Sequence, residues 1–192
     1  MRSVLREKLL DCLNKASSLT DEYADLNPNY IEHIIIWMKD LEETLQKFRS
    51  PMAATITRER AKLLAFREGA SDPSLIDKGL PRRKAQRILA TMCLSRVIAP
   101  VSIQIEQIDQ DFAQIREKIA QLLALASSET AIPTPPTHHN REAWLIKIWK
   151  SLAGGETHSM YSYINATLPL VDRLYILDNL LDNLLESVEL PD

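Results

Sequence analysis

Glycine is scarce in this sequence. The chain has only 4 glycines among 192 residues, where average usage of about 7% would give roughly 13. Phosphate-binding loops, tight hairpins and β-bulges depend on glycine, because glycine adopts positive φ without strain. The scarcity argues against a nucleotide-binding loop and against a β-rich fold. Because Leu, Ile, Ala, Gln, Glu and Lys are abundant and favour helices, we predict an all-α protein.

Cysteine and long apolar runs are also nearly absent. Cys12 and Cys93 are the only cysteines, and neither belongs to a CxxC or Cys/His metal spacing, so we expect both to be reduced core residues. The longest uncharged apolar run is far short of the roughly 20 residues that a membrane span needs. The N-terminal MRSVLREKLLDCLNK keeps charges inside its apolar run, unlike a signal peptide. The sequence therefore favours a cytoplasmic protein without a membrane partner.

Motifs that carry catalysis are missing. The sequence has no GxSxG, P-loop or HExxH motif. His138 and His139 are adjacent in a proline-rich stretch without nearby carboxylates or thiols, and neighbouring histidines cannot share one metal-binding face of a helix. We therefore predict no enzymatic activity, no catalytic residue, no metal site and no cofactor.

Helical periodicity, by contrast, is abundant, above all between Gly79 and Ala126. This stretch opens with a basic cluster and passes Pro100. It then alternates apolar steps of four and three residues, which places these side chains on one face of a long helix: Val101, Ile105, Ile108, Phe112, Ile115, Ile119, Leu122 and Ala126. Because proline lacks an amide donor and clashes with the preceding turn, we expect a kink or a break after Ile98. We predict a helical bundle built around this long, Pro-kinked central helix.

Proline and glycine also mark the ends of the other predicted helices. Asn27-Pro28 and Ser50-Pro51 are cap-and-proline pairs that begin helices, and Gly69 is a candidate C-terminal cap. A short helix, SLIDK, is expected before Gly79. Residues 127–140 contain three prolines and no helical period, which favours an extended spacer. We predict a bundle domain at 1–126, a Pro/Thr-rich linker at 127–140, and a helical segment at 141–192 that packs on the first domain or on a partner.

The C-terminal segment combines an apolar stripe with most of the tryptophans. So many leucines in about fifty residues cannot be buried by that segment alone. Aromatic and leucine-rich surfaces are typical of protein interfaces, while ordinary core is the alternative interpretation. The interface residues that we predict are Trp144, Trp149, Leu174, Leu177, Leu181 and Leu184.

Charge is distributed unevenly along the chain. The formal net charge is −3, yet residues 57–96 carry ten Lys or Arg against four acids. Such asymmetry indicates either an anionic partner or pairing with acids of the same chain. For the basic cluster at residues 82–87, a bound anion or acids elsewhere in the fold could compensate the charge, and the candidate acids are Glu42, Glu43, Asp178 and Asp182.

Residues 61–89 resemble a helix-turn-helix in the order of their elements: helix, Gly, short helix, Gly-Leu, and a helix that opens with basic residues. The predicted turn is about one residue tighter than the usual pattern, and Pro73 shortens the first helix. The resemblance implies that the second helix presents its N-terminal side chains to bases or phosphates. On this basis Arg82, Arg83, Lys84 and Gln86 would project from that end of the helix. The full set of predicted nucleic-acid-binding residues adds two arginines as phosphate contacts: Arg58, Arg82, Arg83, Lys84, Gln86 and Arg87.

These observations lead to two hypotheses about function. We favour a non-enzymatic helical subunit or adaptor that assembles with a protein partner or with a second copy of itself. The alternative is a nucleic-acid-binding subunit whose basic 57–96 region contacts DNA or RNA phosphates.

Overall fold

The computed structural model describes residues 1–72, 79–127 and 140–188, and all regular structure among them is helical. The all-α fold predicted from the sequence is confirmed. The helices are α1 (Arg2–Ala24), α2 (Tyr30–Lys47), α3 (Met52–Glu68), α4 (Arg82–Ser127), α5 (Arg141–Ser151), α6 (His158–Thr167) and α7 (Leu170–Val188), with a 3₁₀ turn at Gly155–Thr157 before α6.

The chain divides into two compact units. Val4–Glu106 forms one, called the N-terminal unit below, and Met1–Ser3 with the chain from Gln107 onward forms the other, the C-terminal unit. The division falls inside α4. The predicted linker from residue 128 to residue 139 lies outside the described residues, and so does the predicted SLIDK helix. The proposed domain boundaries remain predictions.

The long central helix is present and passes through Pro100 without ending. Of the two alternatives expected after Ile98, a kink or a break, the break therefore does not occur. Proline removes one backbone hydrogen bond, but Val97 and Val101 on either side are fully buried, so packing supports the helix across the gap. Of the eight apolar positions from Val101 to Ala126 that were predicted to share one face of this helix, six are buried, and Ile115 and Ala126 are half-buried.

Helix α4 is also apolar enough to raise the question of a membrane. By length and composition alone it meets the criterion for a membrane-spanning helix, and 39% of its most apolar 18-residue window is buried in the structure. Core helices of globular proteins meet the same criterion. Apolarity of α4 is therefore weak evidence for a membrane partner.

In the N-terminal unit, α2 and α3 pack against each other. Ion pairs join Glu42 to Arg60 and Glu32 to Arg67, so the two helices run antiparallel. The N-cap of α3 is Pro51, one residue after the predicted Ser50, and Ser50 Oγ accepts a hydrogen bond from the Met52 N–H at 3.4 Å just before the helix.

Helix α2 begins later than its predicted cap. Asn27 Oδ1 accepts the Asn29 N–H at 2.9 Å, which forms a turn through Pro28, and the helix begins only at Tyr30. The cap-and-proline interpretation of Asn27-Pro28 was wrong by about two residues, because the asparagine side chain stabilises a turn rather than the helix itself.

In the C-terminal unit, one buried carboxylate holds the start of α1. Asp172 is fully buried; it accepts the backbone N–H groups of Arg2 and Ser3, each at 2.9 Å, and the Ser3 hydroxyl at 2.6 Å. Burial opposes ionisation of Asp172, but the hydrogen bonds from Ser3 and Arg2 outweigh it and lower the pKa below its ordinary value of 3.8. The carboxylate thus satisfies amide donors at the start of α1 that have no intrahelical acceptor.

Candidate interaction groove at the basic end of α4

Much of the positive charge between residues 57 and 96 is neutralised inside the N-terminal unit. Arg60 pairs with Glu42 at 2.9 Å, and Arg67 pairs with Glu32 at 2.5 Å. The carboxylate of Glu59, which is only 4% exposed, has three cations nearby: Arg58 at 3.6 Å, Arg96 at 3.5 Å and Lys62 at 4.0 Å. Internal pairing, the alternative offered by the sequence, therefore accounts for the cations of α3 and the middle of α4.

Two arginines at the start of α4 bind backbone carbonyls. Arg82 donates to the carbonyl oxygen of Phe66 at 3.0 Å, in the last turn of α3. Arg87 donates to those of Tyr23 at 2.8 Å and Asn27 at 3.1 Å, at the end of α1. Cations at helix C-termini satisfy carbonyls that lack an intrahelical partner. These two arginines therefore join α4 to the ends of α1 and α3.

Arg83 and Lys84 lie between those two arginines and behave differently. Both side chains are exposed. Neither forms an ion pair or a side-chain hydrogen bond with any residue that the structure describes. Their charges remain available to a partner.

A groove of about 690 Å³ opens beside these two cations. Its lining is largely apolar, with basic residues but no carboxylate among the described residues, and consists of Tyr23, Ala24, Leu26, Pro81, Arg83, Lys84, Arg87 and Ile88. The Arg87 guanidinium lies 5.1 Å from the centre of the Tyr23 ring and 5.3 Å from that of Tyr30. Cation–π contacts of this kind, together with the two carbonyl hydrogen bonds, fix the position of Arg87 at the groove.

Leu26 is the most unusual residue of the lining. Its φ is +57°, a left-handed conformation that a branched side chain rarely adopts. The reason is local: Leu26 N–H bonds to Tyr23 O and Asn27 N–H to Glu22 O, which is the Schellman turn that ends α1. Glycine usually occupies this position, as Gly69 does at the end of α3. Instead, Leu26 is strained and leaves 72% of its surface exposed.

The structure brings together only some of the predicted nucleic-acid-binding residues. Arg83, Lys84 and Arg87 line the groove, whereas Arg58 lies near Glu59 on α3 and does not line it. Gln86 is half-buried. The first helix of the predicted helix-turn-helix falls at 74–78, outside the described residues, so that motif remains a hypothesis.

The predicted protein interface lies mostly in the core. Five of its six side chains are at most 8% exposed, and only Leu184, at 49%, reaches the surface: Trp144, Trp149, Leu174, Leu177 and Leu181 are buried. The helices that carry them, α5 and α7, pack against each other, and Arg141 on α5 bonds to Asp178 and Asp182 on α7. The stripe is thus covered by the chain itself.

The cysteines offer little reactivity. Burial, followed by the neighbouring Glu59 carboxylate, raises the pKa of the Cys93 thiol to about 12, and burial also raises the pKa of Cys12. Cys93 is buried and Cys12 half-buried, and a protonated thiol is a poor nucleophile and a poor metal ligand. Among the described residues, no group of three or more His, Cys, Asp or Glu lies close enough together to hold a metal ion.

Comparison with known proteins gives no match: no protein-family model, curated protein or solved structure matches the chain. The groove is therefore the feature of the molecule from which a function can be inferred. Sequence reasoning found its cations but missed Tyr23 and Leu26, because the groove joins the end of one helix to the start of another and follows no period. The one sequence signal for the groove was that Leu26, and not a glycine, lies between α1 and the Asn27-Pro28 turn.

Proposed function

We propose that the protein is a non-enzymatic helical subunit or adaptor, and that it assembles with a protein partner through the groove at the start of α4. One observation carries the proposal: an open, largely apolar groove is bordered by Arg83 and Lys84, two exposed cations without ion-pair partners among the described residues. Protein interfaces combine an apolar centre with a polar rim in which arginine is common.

The composition of the lining favours a protein over a nucleic acid. Tyr23, Leu26, Pro81 and Ile88 offer apolar surface, which a phosphate backbone cannot use. Affinity for nucleic acid depends on several cations that are free to neutralise phosphates. Arg82 and Arg87 already bond to backbone carbonyls, so fewer cations of the predicted set remain free for that purpose.

Site-specific photo-crosslinking in cells tests the proposal. A photoreactive residue at position 88 should yield a discrete protein adduct that mass spectrometry identifies. The double variant Arg83→Glu/Lys84→Glu should reduce its yield about tenfold or more, because charge reversal at an interface rim repels a complementary partner. The matched control is Arg116→Glu/Lys147→Glu, which reverses two exposed charges elsewhere and should leave the yield unchanged. Equal yields in all variants would contradict a role for the groove.

The nucleic-acid alternative has its own signature. If the groove bound DNA or RNA, affinity for an oligonucleotide would fall steeply between low and moderate salt, and the same double variant would abolish it. A flat salt response would remove this alternative. Light scattering of the purified chain would show whether the protein partner is a second copy.

A further inference from the structure

We infer that the groove takes an acidic amphipathic segment of its partner: a helical stretch with a large apolar side chain flanked by carboxylates. This inference rests on the proposed function and specifies the class of partner. Three independent features of the groove lead to it, namely its charge, its apolar volume and the conformation of Leu26.

The charge of the groove is positive and lacks compensation. Arg83, Lys84 and Arg87 line it, and no ion pair joins any of them to a carboxylate among the described residues. On α3 of the same unit the cations do have carboxylate partners, as Arg60 has Glu42. Carboxylates of a partner would supply at the groove what the chain supplies to the cations of α3, and arginine binds them with particular geometric specificity.

The volume of the groove suits an apolar anchor. About 690 Å³ lies within the range of ordinary ligand pockets, and it is enough for a side chain such as leucine or tryptophan with its neighbours. Tyr23 and Ile88 provide the apolar contact surface, and Arg87 is already fixed by its carbonyl and ring contacts. A preformed site of this kind needs little ordering when the partner binds.

Leu26 supplies the third feature, because the isolated chain derives no evident benefit from it. The residue combines a left-handed backbone with 72% exposure, so both its conformation and its apolar side chain are unfavourable in water. A glycine would relieve the strain. Contact with the apolar side chain of a partner would instead give Leu26 a function, since burial of both surfaces stabilises the complex.

A panel of labelled peptides tests the inference on the full chain. Each peptide is about 15 residues long, enough to support a helix; the parent has a central Leu or Trp flanked by Glu. One matched control replaces the anchor with Ala, and the other replaces the flanking Glu with Gln. We expect the parent to bind at least about tenfold more tightly than either control in fluorescence anisotropy.

Leu26→Gly is the most informative variant, because the two roles of the residue predict opposite effects. The melting temperature should rise, since the strain at this position disappears, while affinity for the parent peptide should fall about fivefold or more. Arg49→Gly is the matched control. Arg49 ends α2 in the same kind of turn with φ of +53° but does not line the groove, so this change should raise the melting temperature without altering affinity.

The outcomes separate the inference from the proposed function. If no acidic, anchored peptide binds more tightly than its controls, or if Leu26→Gly binds with full affinity, the inference is wrong. A protein adduct that still depends on Arg83 and Lys84 would then keep the proposed function, with a partner of different chemistry. Absence of such an adduct overturns the proposed function itself.

Discussion

The apolar stripe of the C-terminal unit and the groove of the N-terminal unit are both rich in apolar residues, yet only the groove is open. In the stripe, Leu177 is 0% exposed and Leu181 3%, because α5 and α7 pack together. At the groove, Leu26 is 72% exposed and Tyr23 38%. A strong helical period therefore marked the buried surface, and an irregular junction between helix ends formed the accessible one.

This difference has a physical reason. A regular apolar stripe is the feature that another helix covers most efficiently, so the chain itself uses it. An interaction surface must remain stable in water before the partner arrives, which favours smaller apolar areas bordered by charge. The groove, with Arg83 and Lys84 beside it, has this composition.

Polar substitution in the stripe should have the largest effect. Leu177→Asp places a carboxylate at a fully buried position and should lower the free energy of unfolding by about 4 kcal/mol or more, since cavity formation and burial of a charge add together. Urea denaturation followed by circular dichroism measures the loss.

Leu184→Asp is the control within the same stripe. Because Leu184 is 49% exposed, the change should cost less than about 1 kcal/mol. If Leu177→Asp left stability intact but disrupted an oligomer, the stripe would be an interface after all, as the sequence suggested.

Removal of the Asp172 carboxylate should have the next largest effect. Asp172→Ala leaves the N–H groups of Arg2 and Ser3 without their acceptor and should destabilise the chain by about 3 kcal/mol. Asp178→Ala is the control. Asp178 is 36% exposed, and its ion pair with Arg141 should contribute about 1 kcal/mol or less.

Acid titration tests the same contact through its pH dependence. The pKa of Asp172 is lower in the folded chain than its ordinary value of 3.8, so its stabilising contribution is fully present above that value and is lost as pH falls through the folded pKa. The wild-type chain should lose more stability than Asp172→Ala when the pH is lowered from about 5 to below 3. Parallel losses in the two proteins would contradict this role.

The fold could largely be predicted from the sequence, because its determinants are local and periodic. The apolar spacing of α4 from Val101 onward, the Ser50-Pro51 pair that precedes α3 and the Gly69 terminus each act within a few residues, and each is present in the structure. At Pro100 local rules left a kink and a break open, and the uninterrupted helix is favoured by burial of Val97 and Val101, which only tertiary packing provides.

The candidate site was less predictable, because its residues are distant in sequence. Arg82, Arg83 and Arg87 are close neighbours in one basic segment, and nothing local distinguishes them. Their hydrogen-bond partners distinguish them: Arg82 donates to the carbonyl of Phe66, Arg87 donates to that of Tyr23, and the Arg83 side chain bonds to no described residue. The Asp172 contact with Ser3 spans 169 residues and likewise has no sequence signal.

The smallest predicted effects compare arginines within this basic segment. Arg87→Ala removes two hydrogen bonds to carbonyls and the contacts with the rings of Tyr23 and Tyr30, and should destabilise the chain by about 1–2 kcal/mol. Arg83→Ala removes no such contact and should change stability by less than about 0.5 kcal/mol. Thermal denaturation of both variants under the same conditions measures the difference. Equal destabilisation would mean that Arg83 has a structural partner in the chain, and the groove would lose one of the free cations on which its proposed role depends.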